Sequence, residues 1–223
     1  MKAPDPWTTS PIHLIDFEGT SESGIVELGV VTLHHGAITE SYSRLCRATG
    51  AIPEEESRVH GIAFEDTTQS EPFQSDWERF VQLRRTGPLG AHHAYYEDRL
   101  LKAVWPSPPY CPDFIQPKQK TAQWGPWIDT CQLYRNQVPQ LSSYKLSNLI
   151  NTLGLQESLD QLAAEHCPSE RCRYHCALYD ALAAAVLLLY LPQLRPSDQP
   201  SSLVHLLLHS RPNPVHSAQQ ELF

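Results

Sequence analysis

The sequence predicts an α/β domain with a mixed sheet over residues 11–191. Two observations carry that expectation. Residues 24–33 are β-branched and partly continuous in apolar character, which suits a strand covered on both faces, and strands of this kind come first in the chain. Beyond residue 75, shorter apolar segments alternate with segments of helical periodicity.

Taken in order, residues 1–10 are a polar, proline-containing arm, and residues 11–17 read as a strand that ends in acid. His35-Gly36 is a hairpin turn from the strand at 24–33 into a third strand at 37–46. Residues 47–72 read as irregular, with Glu54-Glu55-Glu56 a solvated face. Ser75 is placed to cap a helix through Arg85, on the spacing of Trp77, Phe80, Val81 and Arg84, and Gly87-Pro88 ends it. Residues 89–94 are a fourth strand leading into a helix over 95–105. A proline-rich, loop-like insertion occupies 106–126, and residues 127–130 are a fifth strand running into a helix. Ser143 can cap a further helix, with Leu146, Leu149, Ile150 and Leu153 on one face and Gly154 as its stop. Helices near 158–166 and over 174–191 complete the domain. Residues 192–223 are a flexible tail in which Leu203, Leu206 and Leu207 form a short amphipathic helix that packs back.

The chain has 223 residues, room for one large domain, and at 41% hydrophobic it can build a core. With 17 basic and 25 acidic side chains its net charge is −8, which excludes a non-specific coater of duplex DNA. The longest apolar run, 181–191, is about half of what a membrane span requires and reads as a buried helix. The first residues lack the apolar core of a signal sequence. Six cysteines without a Cys-x-x-Cys read as free thiols of a reducing, cytoplasmic compartment.

The chemistry is written in acids. Asp16 and Glu18 are two apart on a strand, so their carboxylates share a face at the carboxyl end of the first strand, where open α/β sheets place their sites. Adjacent carboxylates repel unless a cation lies between them, and a hard divalent ion with oxygen ligands resolves that. Further along, 91–101 place an acid at the start of a helix, and His175 stands five residues before Asp180. On an ideal helix that spacing leaves the two side chains about 140° apart. They converge only if His175 lies in the loop or first turn that enters the helix.

In these segments the chain resembles the DEDDh 3′–5′ exonucleases, a superfamily that includes the proofreading subunit of bacterial replicative polymerases. Asp16-Phe17-Glu18-Gly19-Thr20 matches the pattern Asp-x-Glu-x-Thr. His92-His93-Ala94-Tyr95-Tyr96-Glu97 through Leu101 is similar to His-Asn-Ala-x-Phe-Asp-x-x-x-Leu. His175 and Asp180 match His-x-x-x-x-Asp, and Val59-His60-Gly61-Ile62 matches the Val-His-Gly-Ile loop. The order and spacing of the set over 12–190 make it specific. The departures are Glu97 in place of Asp, with Asp98 one residue on as its rival, and His93 in place of Asn.

The resemblance implies a ribonuclease H-like five-stranded sheet with helices on both faces. It implies two Mg²⁺ (or Mn²⁺) ions between Asp16, Glu18, Glu97 and Asp180, with His175 as the general base. The reaction would release nucleoside 5′-monophosphates from a DNA 3′ end; the alternatives are RNA ends, or an inactive module that binds nucleic acid or adapts the clamp. Thr20, His60, His92 and Phe17 would shape the substrate pocket, although Phe17 and Tyr96 read better as core packing. Glu27 and Asp129 read as supports rather than ligands. A zinc site around Cys172 and Cys176 is set aside, because paired short knuckles are missing. The terminal Gln219-Gln220-Glu221-Leu222-Phe223 resembles the bacterial sliding-clamp-binding motif, with Gln219, Leu222 and Phe223 as its anchors. Clamp, DNA and a DNA polymerase are therefore the expected partners, in replication or repair, and no membrane is.

Overall fold

A computed structural model describes residues 6–116, 118–194 and 201–211. β1 (Ile12–Thr20), β2 (Gly24–His34) and β3 (Ala37–Leu45) pair as an antiparallel meander. Residues expected to be irregular instead hold α1 (Glu54–His60) and α2 (Phe64–Thr67). Neither is long enough to show a helical period in its apolar residues. The three glutamates form the first turn of α1, where the helix dipole favours negative charge, and Gly61 closes it in the left-handed conformation at φ 76°. Glu56 is not wholly solvated, since Ser23 Oγ donates to it at 3.0 Å.

A 3₁₀ turn over Phe73–Asp76 precedes α3 (Trp77–Thr86), so Ser75 lies inside that turn and caps nothing. β4 is short, Leu89–Ala91, and α4 (Ala94–Val104) starts three residues later. Within the insertion, β5 (Cys111–Pro112) and β6 (Lys120–Thr121) pair as a small hairpin that the proline content hid. β7 (Ile128–Asp129) then joins the main sheet and runs into α5 (Thr130–Gln137). The rest is helical: α6 (Leu146–Thr152), α7 (Gln156–His166), α8 (Ala177–Leu194) and α9 (Leu203–His209). Ser143 ties the start of α6 by accepting from Asn148 Nδ2 at 2.8 Å, but the residue before the helix is Lys145.

The main sheet has five strands in the order β3-β2-β1-β4-β7, with β4 parallel to β1 and β7 parallel to β4. It is mixed, with helices on both faces. α5 to α9 cover one face over Ile12, Leu14, Val31 and Leu33, and α3 and α4 cover the other over Ile15, Phe17, Leu28 and Val30. α8 is the one described helix long and apolar enough to cross a membrane, and most of it is buried in this core against β1 and β2. Trp7 is buried too, its amide bonding to Ser201 O, so the arm and α9 meet at the end of the sheet where β1 begins. All six cysteines are free thiols.

Arg84 pins the insertion. It is fully buried and donates to four carbonyls, those of Pro112, Gln123, Trp124 and Gly125, at 2.9–3.1 Å. Replacing it with methionine keeps the stem and strands those oxygens. The expected cost is about 3 kcal/mol or more in urea unfolding, and a change below about 1 kcal/mol would contradict this account.

Candidate active site

Three separate stretches of backbone bring the acids to one place. In β1, Ile12 and Leu14 point beneath α8 and Ile15 and Phe17 point to the opposite face, so Asp16 and Glu18 continue the α8 face at the strand's end. Just after Glu18 the pairing with β2 slips by a bulge. Gly19 takes φ 120° there, and a Cβ on it would lie 2.0 Å from Gly24 O, so no other residue fits.

Glu97 arrives from the other side of β1. After β4, His92 and His93 turn the chain, and His93 is left-handed at φ 65°, a conformation that Asn, Asp and His accept more readily than other side chains. Asp129, at the end of β7, accepts from the amides of His93, Ala94 and Gln132 at 3.0–3.3 Å and so sets the starts of α4 and α5 together. Glu97 then falls in the first turn of α4, buried, accepting from the Phe17 amide. Asp98 points elsewhere, holding Trp127 Nε1 at 2.9 Å and Lys102 Nζ at 2.5 Å. Glu97, not Asp98, therefore faces the other acids.

Asp180 lies in the first turn of α8 and His175 in the loop before it, left-handed at φ 62°. The His175 amide donates to Asp180 Oδ2 at 3.0 Å, which is how a five-residue spacing folds back on itself. A ring nitrogen of His175 and one carboxylate oxygen each from Glu18 and Asp180 lie within 4.8 Å of one another, and His175 is exposed.

Such crowding has an electrostatic signature. Burial raises the Asp180 carboxyl to about 7, with Glu27 adding to the rise and the His175 amide opposing it. Burial, then Asp180 and Glu27, raise Glu18 to about 8. Asp16 is pushed well above the usual carboxylate range by burial and by Glu97, Asp180 and Glu18, and Glu97 by burial and Glu18. Four acids that resist ionising next to one another need a cation to ionise together.

The donor set fits a hard divalent ion. Glu97 Oε2 and Asp180 Oδ1 are buried and have no hydrogen-bond partner among the described residues, so each offers a free oxygen. Among the described residues the other donor group close enough for a cation is His92, His93 and Cys131. There both His92 nitrogens are already committed, Nδ1 to Thr130 Oγ1 at 2.9 Å and Nε2 to the Tyr144 carbonyl at 2.8 Å. Neither group uses Cys172 or Cys176.

Other expected site residues fall unevenly. His92, expected at the substrate, is buried with its ring spent on that scaffold, and burial lowers it to about 3. Phe17 is core, edge-on to Phe73 at 5.3 Å, although it also forms part of a cleft wall. Tyr96, expected in the core, is instead 59% exposed. With Gly19, Thr20, Glu97 and Arg99 it lines a cleft of about 420 Å³ beside the acids. The Thr20 hydroxyl closes the β1–β2 turn by accepting from the Glu22 amide at 3.2 Å. His60 is buried; its Nδ1 accepts from the Ile62 amide at 3.0 Å, so Nε2 carries the proton and has no acceptor. Gln219, Leu222 and Phe223 lie outside the described residues. Arg171, read only as part of a loop, pairs with Glu27 directly behind the acids. Its signal was Glu27 itself, an acid inside an apolar strand that demands a buried partner.

No family model matches the chain. Over 147 residues, 64% of its length, it is 26% identical to a DNA polymerase III PolC-type protein of Thermotoga maritima and 25% identical to that of Thermotoga petrophila. The chain spans about a tenth of the length of these curated relatives. Among solved structures it superposes on exonuclease X in complex with 5′-overhanging duplex DNA at TM-score 0.65 and 20% identity, covering 90% of this chain and 99% of that one. It superposes on the nuclease domain of 3′hExo, a DEDDh family member bound to rAMP, at TM-score 0.60 and 18% identity, covering 85% and 94%. An Escherichia coli ExoI–ssDNA complex in a zinc-bound form aligns at TM-score 0.58 and 12% identity, covering 84% of this chain and 41% of that one. The chain thus has the α/β fold of these exonucleases.

Proposed function

We propose that this chain is a divalent-cation-dependent 3′–5′ exonuclease that removes nucleoside 5′-monophosphates from DNA 3′ ends. The observation that carries the reading is the meeting of Asp16, Glu18, Glu97 and Asp180, from three distant segments, around two unpartnered buried carboxylate oxygens. Those four residues would hold the Mg²⁺ or Mn²⁺ ions. When bound, two such ions supply positive charge to the attacking and leaving oxygens of an in-line displacement.

The chain's own groups do the rest. His175, exposed beside Glu18 and Asp180, takes the proton of the attacking water on a ring nitrogen. Asp180 holds the His175 backbone through its amide. The cleft between Gly19 and Tyr96 receives the terminal nucleotide; His60, buried and outside the lining of that cleft, does not reach it. His175→Ala should lower kcat about 10²–10⁴-fold while the protein still binds Mn²⁺ and melts normally; near-normal kcat would remove the histidine from the reaction.

A second reading, action on RNA 3′ ends, is favoured by the neighbour bound to rAMP. One assay separates them: 3′-labelled DNA and RNA oligomers with Mg²⁺, with Mn²⁺ and with EDTA. Stepwise, cation-dependent loss of nucleotides from DNA supports the first reading, and a preference for RNA supports the second. Cleavage of neither rejects both. For the tail, a Gln219 amide and an apolar Leu222-Phe223 pair suit a pocket on a sliding clamp, which would raise the local concentration of enzyme at DNA in replication or repair. Deleting Leu222 and Phe223 should abolish clamp binding and spare intrinsic nuclease activity; unchanged binding would end that idea.

A further inference from the structure

We infer that Glu27 and Arg171 form a clamp that positions His175 and Asp180; the inference rests on the nuclease reading above. Glu27 pairs across the sheet with Glu18 and is buried at 5% exposure. An acid placed there, beside other acids, is costly unless a cation meets it squarely. Arg171 does so: Nε and Nη2 donate to the two Glu27 oxygens at 3.0 and 2.5 Å, fork to fork.

The same pair reaches the two segments that carry the chemistry. Arg171 Nη1 donates to the His60 carbonyl at 2.8 Å, fixing the turn after α1, and Arg173 adds a second bond to that carbonyl at 3.1 Å. Glu27 Oε2 also accepts from the amide of Ala177, the first residue of α8, at 2.9 Å. β2 can approach that closely because Gly29 faces Ala177; a Cβ on Gly29 would lie 2.3 Å from its backbone.

His175 therefore hangs between two anchors, Arg171 and Ala177, that end on one carboxylate. Its left-handed backbone is costly for a residue with a side chain and persists only where the surroundings over-determine it. The clamp supplies that determination. It also sets the first turn of α8, and with it Asp180. Lysine cannot replace Arg171, because one ammonium cannot span both Glu27 oxygens and the His60 carbonyl.

The test uses the full chain with Arg171→Lys, Arg171→Ala and Glu27→Gln. Four readouts are taken: melting temperature, Mn²⁺ binding to the metal-free protein by calorimetry, the ¹⁵N signals of the His175 amide and ring, and kcat and KM on 3′-labelled DNA across pH. A positioning role predicts that folded Arg171→Lys loses kcat about 100-fold with KM within about threefold, since a displacement near 1 Å suffices for that. The kcat–pH profile should change shape, Mn²⁺ affinity should fall about tenfold, and the His175 signals should shift. Wild-type kcat and unchanged His175 signals in folded Arg171→Lys would overturn the inference and leave an ordinary ion pair. Should Arg171→Ala fail to fold, Arg171→Lys and Glu27→Gln decide. Should the wild type cleave nothing, the nuclease reading falls, while the Mn²⁺ and His175 measurements still judge the clamp.

Discussion

Asp180→Asn will abolish Mn²⁺ binding and cut phosphodiester hydrolysis by about 10³-fold or more, and it will make the metal-free protein more stable at pH 8. The three effects share one cause. The asparagine oxygen can still accept from the His175 amide, so the turn into α8 keeps its hydrogen bond. What disappears is a negative charge in a crowded, buried cluster. Burial, with Glu27, raises the Asp180 carboxyl to about 7, so at pH 8 the native state holds an ionised group in a place that resists ionisation. Removing it relieves the metal-free fold by about 1–3 kcal/mol, given that each pKa unit is worth about 1.4 kcal/mol and neighbouring acids readjust. The same deletion takes away one of the two unpartnered oxygens aimed into the cluster. Melting curves in EDTA, Mn²⁺ titration and the exonuclease assay check the set. Retained Mn²⁺ affinity with retained activity, or a lower metal-free melting temperature, would refute it.

The metal-free protein should also lose stability as pH rises from 6.5 to 8, and its pH dependence has an alkaline and an acid limb of different origin that overlap below pH 6.5. On the alkaline side, Glu18 and Asp180 titrate near 8 and 7 in the fold, well above their ordinary values. Their contribution is present at low pH and is lost as pH rises through the folded values, because the native state binds protons that the unfolded chain has already released. On the acid side, His13 and His92 are buried and lowered to about 4 and 3. They stay neutral in the fold while the unfolded chain takes up protons below about 6.5, a loss that opposes the gain from Glu18 and Asp180 over the same range. Each limb should span on the order of a few kcal/mol. Mn²⁺ should flatten the alkaline limb alone, adding about 2.7 kcal/mol at a hundred times its dissociation constant. His13→Asn should flatten part of the acid limb alone, since that ring only bridges Thr32 and Thr86. Urea unfolding at pH 5, 6.5 and 8, with EDTA or Mn²⁺, measures both limbs. A metal-free protein more stable at pH 8 than at 6.5, or one indifferent to Mn²⁺, would contradict the crowding of acids on which the site depends.

The strand carrying Asp16 and Glu18 and the long apolar helix with Asp180 near its start follow from local periodicity, because side-chain direction repeats every two residues in a strand and every 3.6 in a helix. Those parts were legible from residue spacing alone. The start of that helix was not: periodicity places it at residue 174, whereas α8 starts at Ala177 and leaves His175 in the loop. Short elements were not: α1 and α2 lack the length to show a period, and the β5–β6 hairpin hides among prolines. Side-chain partners across the chain were not legible either. Whether Glu97 or Asp98 turns inward depends on where Asp129 and the His93 turn set the start of α4. Whether Tyr96 packs or stands in a cleft depends on what lies opposite it, and His92 lost its ring to Thr130 and Tyr144 for the same kind of reason. Arg171 and Glu27 lie 144 positions apart and meet only because β2 runs beneath the start of α8. Periodicity dictates which way a residue faces within its own element; only the packing of elements on one another chooses what it then touches.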